Sequence, residues 1–305
     1  MNRRDVFAAT LAGGAAALTG MAAPSAIAAT PGPVATPNWV TARDGTRLYV
    51  RSWGSGAPIL FLSGWALSSE MWAYQMAALS ERGFRCIAFD RRGHGRSDDP
   101  GQGYDYATLG DDVDAVLTAL GVDGATVIAH SMSGGEILSY LEKRATVQRV
   151  ARVLFLATTL PCLTAKPDNP AGVPAAAFDQ MRQQFYTDFP RWIDMNSDPF
   201  VVPETSPLMR SWIKDVMLRT SLRAIIDLNR AMTAADFRGA LGAVTMPTLF
   251  IHGDRDASAP LALTAQPASK LPKQAKLVVY EGAPHGLFVT HIARLNADIE
   301  AFAKG

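Results

Sequence analysis

"ATVIAHSMSGGE", residues 125–136, is the stretch whose reading decides the fold. Thr126, Val127 and Ile128 are β-branched and favour an extended strand. Small residues follow at once, Ser131, Ser133, Gly134 and Gly135, in a "MSGGEILSYLEKR" run of helical character. A strand that turns sharply into a helix needs small neighbours at the crossing, and the corner residue is left exposed at the helix N-terminus, where the dipole favours developing negative charge. The pattern is close to G-x-S-x-G, with Ala129 and Ser133 where the motif has glycine. A second frame, "SMSGG", would make Ser133 the corner, with Gly135 after it. The strand ends near Ala129, which would put Ser133 inside the helix, so the corner is assigned to Ser131.

Working outward, apolar runs of strand length alternate with helical segments. "TRLYVRSW", "PILFLS" and "FRCIAF" precede the corner; "VARVLFLA", "PTLFIHG" and "AKLVVYEG" follow it. Between them, "SSEMWAYQMAALSERG" places Met71, Tyr74, Ala78 and Leu79 at helical spacing, and "LGDDVDAVLTALG" predicts a buried face of Leu109, Val113, Val116, Leu117 and Leu120. Its acidic side, Asp111, Asp112 and Asp114, reads as a solvated face and not as a metal site. Strand and helix in alternation imply a parallel sheet with helices on both faces. The stretch from about 160 to 238 interrupts this order; it is helical, punctuated by proline and rich in Phe, Trp and Met, and reads as a lid inserted between two strands. In open parallel sheets chemistry gathers beyond the carboxyl ends of the strands. Two further strands end there on reactive groups: "TLFIHGDRD" brings Asp254 and Asp256, and "VVYEGAPHG" brings His285.

The chain has 305 residues and a formal net charge of +1, which gives no overall field favouring nucleic acid. Two cysteines, Cys86 and Cys162, are too few for a disulfide framework, and Cys86 reads as an inert core thiol. The N-terminus differs in kind. Arg3 and Arg4, then an uncharged stretch rich in Ala and Gly, then "AIA" have the form of a twin-arginine-like signal cleaved after about Ala28, so the mature protein is expected to be exported, periplasmic or extracellular. Residues 29–38 read as a proline-rich linker and 39–305 as one domain. No later stretch approaches a membrane span. No phosphate-cradling loop, zinc spacing or haem motif occurs, so neither cofactor nor metal is expected.

Taken together, "SGWALSSEMW", "DRRGHGRSDDPG", "AHSMSGGE", "IHGDRD" and "YEGAPHGLFVTHIARLNADI" resemble the cofactor-free haloperoxidase and arylesterase branch of the α/β-hydrolase superfamily, from about residue 40 to the C-terminus. The resemblance implies an α/β-hydrolase fold with a mostly parallel eight-stranded sheet. It also implies Ser131 as nucleophile, His285 as general base and then acid, and Asp256 orienting the imidazole. The oxyanion hole it implies is formed by the backbone N–H groups of Trp65 and Met132. The expected reaction is cleavage of a small-molecule carboxylic ester through an acyl-enzyme. Peroxide in place of water would make a peracid from a carboxylic acid, the perhydrolase or haloperoxidase alternative. Members inclined to that chemistry often carry proline after the oxyanion tryptophan, where this chain has Ala66, so ester hydrolysis ranks first. A non-catalytic relative that binds a small molecule is the remaining alternative, but no triad member is missing.

Beyond Ala129 and Ser133, the chain departs from the family at Ser63, where a histidine usually braces the loop before the oxyanion residue. The other assignments are plain ones. Asp254 supports and does not face the imidazole; His130 and His252 hold loops; His94 braces "DRRGHGRS"; His291 is helix surface. Glu136 is a favourable first-turn charge. Phe185, Phe189, Trp192 and Trp212 pack the lid, with some of them lining an apolar pocket.

Overall fold

The computed structural model of the protein describes residues 37–144 and 149–305. The expected export signal (1–28) and all but the last two residues of the expected linker lie outside the described residues. Eight strands form one sheet: β1 (Trp39–Thr41), β2 (Arg47–Trp53), β3 (Ala57–Leu62), β4 (Phe84–Phe89), β5 (Ala125–His130), β6 (Val150–Leu156), β7 (Thr248–Gly253) and β8 (Ala275–Tyr280). Their order across the sheet is β1-β2-β4-β3-β5-β6-β7-β8. The first two strands pair antiparallel and the other six run parallel. The central strand β5 is buried along its whole length, as a strand covered on both faces must be. Alternate residues feed separate cores. Ile128 packs on one side with Phe61, Leu154 and Ile251, while Val127 and Ala129 pack on the other with Leu60, Leu62 and Phe155.

Among the described residues ten helices cover the faces: α1 (Ala73–Glu81), α2 (Tyr106–Ala119), α3 (Ser133–Lys143), α4 (Ala175–Asn196), α5 (Pro207–Leu218), α6 (Leu222–Ala234), α7 (Arg238–Gly242), α8 (Ala265–Ala268), α9 (Leu287–Thr290) and α10 (Ile292–Lys304). The apolar faces of α1 and α10 pack on the core that holds Ile128, and those of α2 and α3 on the other. α2 buries Leu109, Val113, Val116 and Leu117 as its periodicity demands, and Asp105 caps it by accepting from the Thr108 N–H at 2.9 Å. The chain leaves the sheet after β6 and returns at β7, and helices α4 to α7 fill the excursion. α4 is broken at Asp188, where the backbone is extended, two residues before Pro190. Proline removes a donor and disfavours helical geometry before it. The Asp188 side chain accepts from Arg191 N–H at 3.0 Å and so starts the second half.

Three expectations need correction. Asp112 is not on a solvated face; it is buried and accepts from Arg92 Nε and Nη2 at 2.8 Å each. Glu136 does stand in the first turn of α3, and is in addition a buried partner of Arg91 at 2.5 Å. Tyr74 is exposed, because residues 69–72 form a 3-10 turn that rotates the following helix; Met71, Trp72, Gln75, Met76 and Leu79 face inward instead. His291 stands half-buried just before α10, with its ring against Tyr280 and its Nδ1 2.8 Å from Thr290 Oγ1.

Candidate active site

Four strands, β3, β5, β7 and β8, end on one edge of the sheet, and the loops beyond them hold the candidate residues. At the end of β5 the chain turns through Ser131, whose φ is +57°, a conformation a non-glycine residue adopts only under constraint. The constraint is visible. Ser131 N–H donates to Leu156 O of the neighbouring strand at 2.9 Å, and α3 begins two residues later. The crossing is tight: a Cβ on Gly135 would lie 2.4 Å from the Tyr106 ring. Ser133 takes no part in the corner. It is buried in the first turn of α3, its Oγ 3.1 Å from Leu62 O and 2.8 Å from His130 O, so the hydroxyl ties the ends of β3 and β5 together.

The structure brings Ser131, His285 and Asp256 into contact. His285 Nε2 lies 3.0 Å from Ser131 Oγ, and His285 Nδ1 lies 2.7 Å from Asp256 Oδ2. A carboxylate can only accept, so Nδ1 carries the proton and Nε2 is left as the acceptor for the serine hydroxyl. Asp256 is itself fixed, its Oδ1 accepting from the N–H groups of Ser258 and Ala259 at 2.9 and 2.7 Å. Burial acts to raise its pKa. The facing His285 and the hydrogen bonds from His252 and His285 together outweigh burial and hold the carboxyl below the usual range. Asp254 does not face the imidazole; its Oδ1 accepts from Gly282 N–H at 2.7 Å and ties the turn after β8 to that after β7.

The other histidines are held by backbone. His252 Nε2 lies 2.7 Å from Ala259 O and 3.2 Å from Asp256 Oδ2. His130 Nε2 lies 3.2 Å from His285 O, which steadies the backbone of the loop after β8. Burial, and then the neighbouring His285, lower its pKa to about 3, so this ring is neutral at any working pH. His94 is likewise lowered to about 3 by burial and by Arg91, and its Nδ1 lies 2.9 Å from Arg92 O.

The N–H groups of Trp65 and Met132 donate to no acceptor among the described residues. Gly64 makes the approach possible, since a Cβ there would sit 2.5 Å from His130 Nδ1. Ser63 does not brace this loop, for its buried Oγ has no partner. Arg91 does. Its guanidinium donates from Nη2 to Ser63 O at 2.5 Å, from Nη1 to Gly64 O at 3.2 Å and from Nε to Glu136 Oε1 at 2.5 Å. Glu136 stands in the first turn of α3, so one buried ion pair links the loop of Trp65 to the helix that follows Ser131. Sequence reasoning missed both residues; the only available signal was an acid at the corner helix with no stated partner. From the insertion side, Trp65 Nε1 donates to Ile225 O at 2.9 Å and Thr220 Oγ1 to Ala66 O at 3.1 Å.

Ser131 and His285 line a cavity of about 430 Å³, roofed by the insertion. Trp65, Leu67, Trp192, Phe200, Ile213 and Met217 give it apolar walls. Phe185 packs tilted against Trp65 at 5.3 Å and Phe189 edge-on at 5.9 Å, whereas Trp212 packs edge-on with Tyr74 at 6.3 Å. Among the described residues there is no cluster of His, Cys, Asp and Glu able to hold a metal ion, and no helix long and apolar enough to cross a membrane.

Residues 57–292 match the model of the family described as alpha/beta hydrolase fold. The chain is 36% identical over 273 residues to a non-heme haloperoxidase of Rhodococcus erythropolis, covering 87% of this chain and 99% of the relative. It is 34% identical over 277 residues to a bifunctional esterase/perhydrolase of Acinetobacter calcoaceticus, with coverage of 87% and 99%. Among solved structures, an esterase from Exiguobacterium antarcticum superposes with a TM-score of 0.84 at 28% identity, covering 88% of this chain and 99% of the other.

Proposed function

The chain belongs to the α/β-hydrolase family, and we propose that it is a serine hydrolase cleaving small apolar carboxylic esters through an acyl-enzyme. One observation carries this reading: the continuous line from Asp256 through His285 to Ser131 Oγ, 2.7 and 3.0 Å, opening into an apolar cavity. As Oγ attacks the ester carbonyl carbon, His285 Nε2 takes its proton, and Asp256 stabilises the imidazolium through Nδ1–H. The carbonyl oxygen, now an oxyanion, accepts from the N–H groups of Trp65 and Met132. Collapse expels the alcohol, which takes the proton from Nε2 and leaves the acyl group on Oγ. Water then attacks the acyl carbon with His285 as base, the acid departs and Oγ regains its proton. The cavity volume falls in the usual range for small-molecule sites.

Peroxide attacking the acyl-enzyme would give a peracid, and the names of the relatives favour this second reading. The residue after Trp65 supports hydrolysis, being alanine and not the proline that the resemblance associates with peroxide chemistry. Ala66 has a φ of +61°, which a proline ring, locked near −65°, excludes. The loop of this chain is therefore built differently from one with proline at that position. The N-terminal arginine pair supports an exported enzyme.

Fluorophosphonate labelling tests the main reading: the folded protein is labelled and Ser131→Ala is not. Undiminished labelling of that variant overturns the assignment. Faster halide oxidation in acetate and peroxide than hydrolysis of p-nitrophenyl acetate would put the second reading first.

A further inference from the structure

One polar side chain stands out in the cavity wall. Asn229, on α6, is 2% exposed and lies among Leu163, Val173, Phe178, Met181 and Met232. The other long polar groups of the wall are engaged toward the surface: Arg210 with Asp198 at 3.2 Å, Lys214 with Asp194 at 2.9 Å, and Asn196 Nδ2 with Trp192 O at 2.8 Å. Asn229 is not. Its Oδ1 accepts from Arg182 Nη1 at 2.8 Å, and the same nitrogen donates to Thr233 Oγ1 at 3.2 Å.

A guanidinium has donors only, so the amide cannot be turned the other way: oxygen faces Arg182 and nitrogen faces away. The only hydrogen-bond acceptor of Nδ2 among the described residues is the thioether of Met181, at 4.0 Å. Sulfur in a thioether is a weak acceptor, and that distance is the far limit of such a bond. Asn229 thus lines the chamber that Ser131 and His285 also line, with an amide nitrogen that has no oxygen acceptor among the described residues. A buried donor left without an acceptor costs free energy, and a ligand that supplies one recovers it.

We propose that Asn229 is a specificity-determining residue which donates through Nδ2 to a neutral oxygen acceptor on the substrate, a ketone, ether or second ester oxygen remote from the scissile bond. The inference rests on the ester reading above and names its substrate class: oxygenated esters in preference to purely hydrocarbon ones. A carboxylate fits less well, because an ionised group in this apolar chamber would lose its hydration with only an amide in exchange.

The test uses isosteric pairs. In the acyl half, p-nitrophenyl hexanoate is compared with analogues in which an ether oxygen replaces carbon 3, 4 or 5; in the alcohol half, n-hexyl acetate is compared with its ether analogues. Intrinsic reactivity cancels when the ether-to-hydrocarbon ratio of kcat/KM for the parent chain is divided by that for Asn229→Leu. The expected quotient is about tenfold or more at one position. Asn229→Asp keeps an oxygen for Arg182 but replaces the donor by an acceptor, and should lose the preference equally; it carries the test if the leucine variant does not fold. A quotient within about twofold at every position in both halves overturns the proposal. If the parent chain hydrolyses none of these esters, the ester reading fails by itself. Dissociation constants of the same compounds, read from fluorescence of Trp65 and Trp192, then decide the role of Asn229 by the same ratios.

Discussion

Arg91 and Arg92 are adjacent, equally buried and each paired with a buried acid, yet they act on different parts of the molecule. Arg92 reaches Asp112 on α2 and Asp44 in the turn between β1 and β2, at 2.7 to 2.8 Å, and touches nothing that lines the cavity. Arg91 reaches the carbonyls of Ser63 and Gly64 and the carboxylate of Glu136, the two segments that flank Ser131. One arginine joins helix to sheet; its neighbour sets the spacing of the reactive edge. The chain turns here, His94 N–H donating to Arg91 O at 2.9 Å, and the two side chains leave the turn toward different partners, so one short motif serves both stability and chemistry.

The sharpest way to break the comparison is to remove each pair separately. Asp112→Ala leaves the buried Arg92 guanidinium with only the half-exposed Asp44 carboxylate as partner, and loss of one partner of a buried pair costs up to about 3–5 kcal/mol. Thermal melting should show a fall of roughly 10 °C or more, while kcat per folded molecule stays near that of the parent. Arg91→Met with Glu136→Gln removes both charges together and so avoids a stranded one. Loss of the brace should weaken the Trp65 donor, worth up to about 3 kcal/mol in the transition state. The expected result is a fall in kcat of about 100-fold with KM for p-nitrophenyl acetate nearly unchanged. If this variant lost only stability, the two arginines would be equivalent after all.

Two smaller effects sharpen the boundary. Ser133→Ala deletes the tie between Leu62 O and His130 O and should cost about 1 kcal/mol in denaturant titration with activity retained; abolished activity would reopen the choice between the two serines. His130→Gln should leave the acid limb of kcat/KM against pH where it is. The folded ring is neutral down to about pH 3, well below its ordinary 6.5, so its removal takes no charge from the vicinity of His285. A displaced limb would mean that His130 is charged in the working enzyme.

What was legible in the chain was what local pattern encodes. The β-branched run and small residues of 125–136 carry the corner, and the spacing of Leu109, Val113, Val116 and Leu117 carries the buried face of α2. Asp256 and His285 were legible because parallel strands deliver their following loops to one edge. Asp112 was misread, and the partner of Glu136 missed, because a helix's own periodicity says nothing about a cation arriving from 20 or 45 residues away. The substitution at Ser63 was legible as a loss, but its compensation by Arg91 depends on a packing that no spacing reveals. Tyr74 was misread because the first turn of its segment is wound more tightly than an α-helix, which shifts the inward face.

The positive φ of Ala66 also bears on how such a catalyst can diverge. Its carbonyl is pinned by Thr220 and its neighbour's indole by Ile225, so the peptide cannot turn over without releasing two contacts to the insertion. A single mutation to proline there would set ring geometry against a fastened backbone. In this chain, then, accommodating proline there takes a concerted change in two segments, and not one substitution alone.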